Sequence, residues 1–125
     1  MHESGENYLE TILVIKERKG TVRSIDIARE LSFSKPSVSR AMGILRESGY
    51  IVMEPSGEIH LTDKGRERAE EIYGRHRLLT AFLKDVAGVT EEMAERNACR
   101  MEHILDQEVV DGISGYMGRQ RKSVF

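Results

Sequence analysis

The fold of this 125-residue chain is decided by residues 34–61, SKPSVSRAMGILRESGYIVMEPSGEIHL. The first half predicts a helix, because Ser34 can cap a helix N-terminus and Pro36 suits a first turn, where its missing N–H costs nothing. Apolar residues then repeat at helical spacing. The second half changes to two β-type runs, 50–53 and 58–61, around a Pro-Ser-Gly turn. The stretch therefore predicts a helix followed by a hairpin.

The flanking sequence extends this pattern in both directions. Helical patterns over 6–18 and 24–31 precede the stretch, and Ser24 is the predicted N-cap of the second of these helices. The resulting order is that of a winged helix-turn-helix. Three further helices are predicted after it, at about 63–86, 91–105 and 107–117. We therefore expect a mainly α protein with two domains: an N-terminal winged helix-turn-helix DNA-binding domain with a two-stranded wing (1–62), then an all-α domain (63–125).

Composition narrows the class of protein. Charged residues make up 32% of the chain and no apolar run is long enough to cross a bilayer, so no membrane partner is expected. The acidic start, with Glu3 and Glu6, is unlike a secretory signal. The single cysteine, Cys99, excludes an internal disulfide framework and suits a reducing compartment. We expect a cytoplasmic protein.

Charge is distributed unevenly, although the net charge is only −2. Residues 16–46 contain eight Lys or Arg against three Asp or Glu, whereas residues 85–111 contain two against eight. Such blocks indicate one site for an anionic partner and another for a cationic one. Two ordinary solvated helix faces would produce the same pattern.

The basic block contains the predicted DNA contacts. A recognition helix presents short polar and bidentate side chains to base edges, and Arg40 could hold a guanine in this way. Cations nearby would touch phosphates, and the hairpin would lie along the backbone. The predicted DNA-binding residues are Arg23, Lys35, Pro36, Ser37, Ser39, Arg40, Arg46, Ser56 and Gly57. A winged helix used only for protein contact is the alternative.

The acidic block contains candidate metal ligands. On a helical wheel of residues 91–105, four polar side chains share the face beside an apolar stripe: Glu95, Cys99, Glu102 and His103. Carboxylates beside an apolar surface are unfavourable unless a cation compensates them. Three distant residues could complete the shell, namely Asn7, Glu10 and His76. A surface Glu–His pair and a buried structural cysteine are the alternatives. A zinc ribbon and a zinc metalloprotease are excluded, because Cys-x-x-Cys and His-Glu-x-x-His are absent.

Several short motifs occur together in a specific order: 6–10 ENYLE, 25–31 IDIAREL, 36–39 PSVS, 61–65 LTDKG, 75–79 RHRLL and 98–103 ACRMEH. In this order and spacing they resemble the DtxR/MntR family of metal-dependent repressors. The resemblance implies a metal-binding and dimerisation domain after the winged helix. It also implies ligands for manganese(II) or iron(II) at Asn7, Glu10, His76, Cys99, Glu102 and His103.

The ligand positions mix the two branches of that family. The manganese-responsive branch has aspartate where this chain has Asn7 and glutamate where it has Cys99. The iron-responsive branch has cysteine at the position of Cys99 but methionine at that of Asn7. A second iron-branch site has glutamate and histidine where Thr80 and Glu95 stand here, so that site is not expected in its usual form.

We therefore predict a homodimeric, divalent-metal-dependent transcriptional repressor of metal-homeostasis genes that binds a near-palindromic double-stranded operator. It would be no enzyme and would take no small organic substrate, since no nucleophile elbow surrounds Cys99. Apolar side chains of the last helices would form the dimer interface: Phe82, Leu83, Val86, Val109, Val110, Ile113, Tyr116 and Met117. The alternative is a winged-helix regulator that binds no metal and responds to a partner or to Cys99 oxidation.

Overall fold

The computed structural model describes the backbone of residues 3–123 and the side chains of residues 4–120. Within that range the elements are α1 (Glu3–Lys19), α2 (Ser24–Leu31), α3 (Lys35–Glu47), β1 (Ile51–Met53), β2 (Ile59–Leu61), α4 (Asp63–Asp85), α5 (Glu91–Met101) and α6 (Gln107–Ser123). The predicted mainly α class and the two-stranded wing are confirmed. The chain divides into two compact units, Met1–Glu71 (unit 1) and Ile72–Phe125 (unit 2). None of the described helices is long and apolar enough to span a membrane.

Unit 1 is a three-helix core carrying an antiparallel hairpin. The strands pair with Ile51 opposite Leu61 and Met53 opposite Ile59, and the amide of Ile59 also donates to the carbonyl of Val22 at 2.8 Å. The apolar side chains that the helical and strand periods direct inward are almost fully buried: Leu9, Ile12, Leu13, Ile15, Val22, Ile27, Val38, Met42, Ile51 and Ile59. This core holds the turn between α2 and α3, which positions the predicted recognition helix.

The starts of α2 and α3 differ in how well local sequence predicts them. The Ser34 cap of α3 is confirmed, because its Oγ accepts from the amide of Ser37 at 3.3 Å. The Ser24 cap of α2 is wrong by one residue. Arg23 occupies the cap position there, and its amide donates to the carboxylate of Asp26 at 2.9 Å. The Asp26 carboxylate therefore satisfies a backbone donor at this helix start, and Ser24 becomes the first helical residue.

The hairpin is tied to the start of α4 by a close backbone approach. Thr62 Oγ1 donates to the carbonyl of Gly49 at 2.7 Å and accepts from the amide of Gly65 at 3.1 Å. A Cβ added to Gly65 would lie 1.9 Å from the carbonyl oxygen of Tyr50. Only glycine fits at this position, so the end of the wing and the first turn of α4 are fixed together.

Unit 2 contains the end of α4 with α5 and α6, and its helix ends depart from prediction. The helix predicted over 91–105 ends at Met101, and the helix predicted over 107–117 continues to Ser123. The three glycines of α6 have weak helix propensity, but Val110 and Met117 bury one side of the helix, and such packing outweighs weak propensity. Because these two side chains are already buried within the chain, they leave little surface for the predicted dimer interface. The other elements lie within one to three residues of prediction.

Candidate functional site

The exposed face of α3 carries side chains predicted to contact DNA. All six are exposed: Lys35, Pro36, Ser37, Ser39, Arg40 and Arg46. The opposite face is buried in the core of unit 1 through Val38, Met42 and Leu45. Ser37 also takes part in the helix cap, since its Oγ accepts from Ser34 Oγ at 2.8 Å, yet its own hydroxyl hydrogen can still reach an acceptor on DNA. The helix therefore presents a polar, cationic surface from its first turns, as base readout requires.

The other predicted DNA contacts lie at turns of unit 1. Arg23 is exposed at the start of α2, and Ser56 is exposed at the tip of the wing. Gly57 has φ +92°, a left-handed conformation that favours glycine, and its amide donates to the carbonyl of Glu54 at 2.8 Å. These positions allow a wing to approach a phosphate backbone.

Unit 2 contains a buried carboxylate between two imidazole rings. The Glu102 side chain is fully buried, and its Oε2 lies 2.9 Å from Nδ1 of His76. Its Oε1 lies 3.2 Å from Nε2 of His103, whose side chain is 3% exposed. Three of the six residues proposed as ligands therefore meet within unit 2.

The electrostatics of this group suit a bound cation. A buried carboxylate is costly unless a positive charge or hydrogen bonds compensate it. Here the hydrogen bond to Glu102 raises the pKa of His76, and this exceeds the opposing effect of partial burial. The nearby charge of Glu95 raises the pKa of His76 a little further. A proton on the ring stabilises the carboxylate, and a divalent ion can take the same place, because an ion and a proton compete for one imidazole nitrogen.

Arg75 holds the turn that carries Glu102 and His103. Its Nη1 donates to the backbone carbonyls of Glu102 and Leu105, both at 3.0 Å, and its Nη2 donates to Oε1 of Gln107 at 2.8 Å. The last carbonyls of a helix lack partners within the helix, so a guanidinium placed there satisfies them and stabilises the end. This contact stabilises the end of α5 and the turn after it. Sequence reasoning missed Arg75 because its role depends on groups about 30 residues away.

The other three predicted ligands belong to α1 and α5. Asn7 and Glu10 belong to α1 of unit 1, where Glu10 is buried and the carbonyl of Asn7 accepts from Thr11 Oγ1 at 2.8 Å. Cys99 is exposed on α5, as is Glu95. Glu102 is the C-cap of α5, since its amide still donates to the carbonyl of Ala98 at 2.9 Å, whereas His103 lies in the turn after the helix.

Comparison with known proteins connects both units to one family. The family model for the iron dependent repressor N-terminal DNA binding domain matches residues 1–59, and the model for the iron dependent repressor metal binding and dimerisation domain matches residues 62–123. The HTH-type transcriptional regulator MntR of Geobacillus kaustophilus is 37% identical over 110 residues, which are 88% of this chain and 77% of the relative. This chain belongs to the iron-dependent repressor family.

Two further relatives of this family show how far the similarity extends. An uncharacterized HTH-type transcriptional regulator of Methanocaldococcus jannaschii is 33% identical over 99% of this chain and 100% of its own length. A solved structure described as a manganese-dependent transcriptional repressor in complex with manganese has a TM-score of 0.85 and 27% identity, and covers 91% of this chain. The chain spans about half the length of such solved relatives, 52% in this case.

Membership of the iron-dependent repressor family decides between the two interpretations of the sequence. Its models join a DNA-binding part to a metal-binding part in the order predicted here, which favours a metal-dependent regulator over one that binds no metal. The buried Glu102 lies in the part matched by the metal-binding model, and the exposed face of α3 lies in the part matched by the DNA-binding model.

Proposed function

We propose that this protein is a divalent-metal-dependent transcriptional repressor of metal-homeostasis genes, acting in the cytoplasm with manganese(II) or iron(II) as its effector. The observation that carries the proposal is the buried Glu102 carboxylate between His76 and His103, in a chain that also carries a winged helix with a cationic exposed face. Carboxylate oxygens and imidazole nitrogens together suit such ions.

The proposed regulatory ligands are Asn7, Glu10, His76, Cys99, Glu102 and His103. His76, Glu102 and His103 supply two nitrogens and a carboxylate from one unit, and the burial of Glu102 and His103 limits competition by water. Asn7 and Glu10 would add oxygens from α1, so that the ion selects one arrangement of the DNA-binding domain (1–62) and the metal-binding domain (63–125). An ion acts in this way only through its different affinity for the competent and incompetent arrangements.

The proposed partner is a near-palindromic double-stranded operator bound by a homodimer. Exposed apolar side chains of unit 2 support a two-fold interface, since Val109 and Tyr116 of α6 and Val86 remain 46%, 38% and 51% exposed. Sedimentation at micromolar concentration should therefore give a dimer, and a single 14.2 kDa species would refute the two-half-site arrangement.

The test is metal-dependent DNA binding. Operator sequences would be selected from a random duplex library with manganese present, and affinity then measured by fluorescence anisotropy against manganese(II), iron(II) and zinc(II). Glu102→Gln should abolish the metal response while the fold is kept, because the amide is nearly isosteric but carries no charge. Glu92→Gln is the matched control, since Glu92 is an exposed carboxylate of the same unit. Metal-dependent binding by Glu102→Gln would refute the site.

The role of Cys99 can be separated in the same assay. Because Cys99 is exposed on α5, Cys99→Ser should leave the manganese response intact. If the thiolate ligates, the serine variant should lose the response to zinc or iron, because a sulfur ligand favours softer ions. Loss of every metal response would make Cys99 an essential ligand instead of a selector.

A further inference from the structure

The wing of unit 1 carries a second group of side chains able to hold a metal ion. Glu54 follows β1, Glu58 precedes β2, and the Glu54 amide donates to the Glu58 carbonyl at 2.9 Å. One step along the ladder, Val52 pairs with His60. Since side chains alternate between the faces of a hairpin, Glu54, Glu58 and His60 project from the same face. The register of the wing therefore brings two carboxylates and an imidazole together.

The distances within this group are those of a preformed cluster. Nε2 of His60 lies 3.3 Å from Oε1 of Glu54 and 3.8 Å from Oε2 of Glu58. One potential ligand atom from each of the three residues lies within 4.8 Å of the other two. Nε2 of His60 is shielded from solvent and makes no hydrogen bond in the described part of the chain. A solvent-shielded ring nitrogen directed at two carboxylates in this way is placed to ligate a metal ion together with them.

Neighbouring groups orient the carboxylates. Ser56 Oγ donates to Oε2 of Glu54 at 3.4 Å, which leaves Oε1 turned towards His60. The same Ser56 oxygen accepts from the amide of Glu58 at 3.4 Å. Lys16 Nζ lies 3.6 Å from Oε1 of Glu58, so Oε2 of Glu58 is the oxygen nearer the ring. The loop thus directs one oxygen of each glutamate at Nε2.

We propose that Glu54, Glu58 and His60 form a divalent-cation site on the wing, distinct from the group around Glu102. One nitrogen and two carboxylate oxygens suit manganese, iron, cobalt or zinc, with water in the remaining positions. The site is weaker than the regulatory one, because the side chains of Glu54 and His60 are 50% and 35% exposed and solvent competes for the ion.

The consequence for DNA binding rests on the proposed function. Glu54 and Glu58 place two negative charges where the wing would approach the phosphate backbone, and such charges repel it. A divalent ion cancels both. The wing site would therefore raise affinity for any duplex, specific or not, at metal concentrations above those that fill the regulatory site.

Binding of the ion can be tested without DNA. The full chain carrying Glu102→Gln and His103→Ala, which removes two of the six proposed regulatory ligands, would be titrated with cobalt(II) and manganese(II) by calorimetry. One ion per chain should remain. Adding His60→Gln or Glu54→Gln should lower the affinity for this ion at least about tenfold, since loss of even a residue that only hydrogen-bonds to a ligand lowers metal affinity by that factor. Glu17 is an exposed carboxylate of unit 1, and adding Glu17→Gln should leave the affinity for the remaining ion unchanged.

A second measurement locates the ion directly. Manganese(II) is paramagnetic, so substoichiometric manganese should broaden the backbone amide signals of residues 52–60 in the Glu102→Gln, His103→Ala chain, and His60→Gln should remove the broadening. Absence of a residual ion, or broadening unaffected by His60→Gln, would overturn the wing site. If the ion binds the wing but metal never changes affinity for any duplex, the wing site stands and its link to DNA binding is refuted.

Discussion

Replacement of Arg75 by methionine tests whether the turn bearing Glu102 and His103 is held from α4. Methionine keeps most of the aliphatic stem and removes the guanidinium, which donates to the carbonyls of Glu102 and Leu105 at 3.0 Å. A hydrogen bond from a charged donor contributes about 1.5–3 kcal/mol. Both bonds share one nitrogen, and the third, to Gln107, is exposed and adds little. We expect a loss of about 2–3 kcal/mol in the free energy of unfolding.

Metal affinity should fall as well, because the turn fixes two proposed ligands. Loss of a residue that hydrogen-bonds to a metal ligand typically lowers metal affinity by about 10–100-fold. We expect a loss in that range for Arg75→Met, because Arg75 holds the main chain that carries two proposed ligands. Urea unfolding of the metal-free protein and calorimetric titration with manganese(II) measure the two effects separately. Arg96→Met is the control, since Arg96 is exposed on α5. If Arg75→Met matches this control in both stability and affinity, Arg75 does not position the site.

Three further expectations follow from the site and the fold. Because its pKa is raised, the His76 ring holds a proton to higher pH than an ordinary histidine does. Manganese affinity should therefore decrease as the pH is lowered from about 8 to about 6. Glu102→Gln should lower the pH midpoint of the His76 titration, which NMR can follow. In the metal-free protein the same shift stabilises the folded state below the unfolded pKa of about 6.5, and this stability should disappear as pH rises through the folded value. Gly65→Ala should lower the free energy of unfolding by about 3 kcal/mol or more, because the added Cβ would meet the carbonyl of Tyr50. Gly43→Ala lies in open space within α3 and should instead stabilise the protein by about 0.5–1 kcal/mol, and thermal unfolding measures both. Arg40→Ala should weaken operator binding by about 1–3 kcal/mol and leave random duplex nearly unaffected, and an equal loss on both would make Arg40 a phosphate contact.

Local sequence predicts much of unit 1 because its decisive signals lie close together. The Ser34 cap, the proline two residues later and the apolar spacing of α3 all act within one helix, and the structure contains that helix. The Pro-Ser-Gly turn similarly predicts the wing. The limits of both elements agree with prediction because neighbouring residues determine them.

The candidate site was less predictable, since it depends on contacts between distant residues. The turn after α5 is held by Arg75 of α4, whose side chain donates to the carbonyls of Glu102 and Leu105 about 30 residues away in the sequence. A helical wheel assumes that the helix continues, whereas α5 is capped at Glu102 and His103 lies in the turn after it. The group on the wing was missed for a similar reason, because Glu54 meets His60 only once the strand register is known. The assignment of six regulatory ligands stays a prediction.

Arg75 recognises main-chain oxygens, and this has a consequence for how metal preference can change. A carbonyl is present whatever side chain its residue bears, so the turn from Glu102 to Leu105 does not depend on the ligands it carries. Substitutions at the ligand positions can therefore alter the chosen ion without dismantling the scaffold. In evolution this would let effector specificity drift while the architecture is inherited unchanged. For engineering, it makes positions 102 and 103 suitable for a ligand-swap library in which most members should still fold.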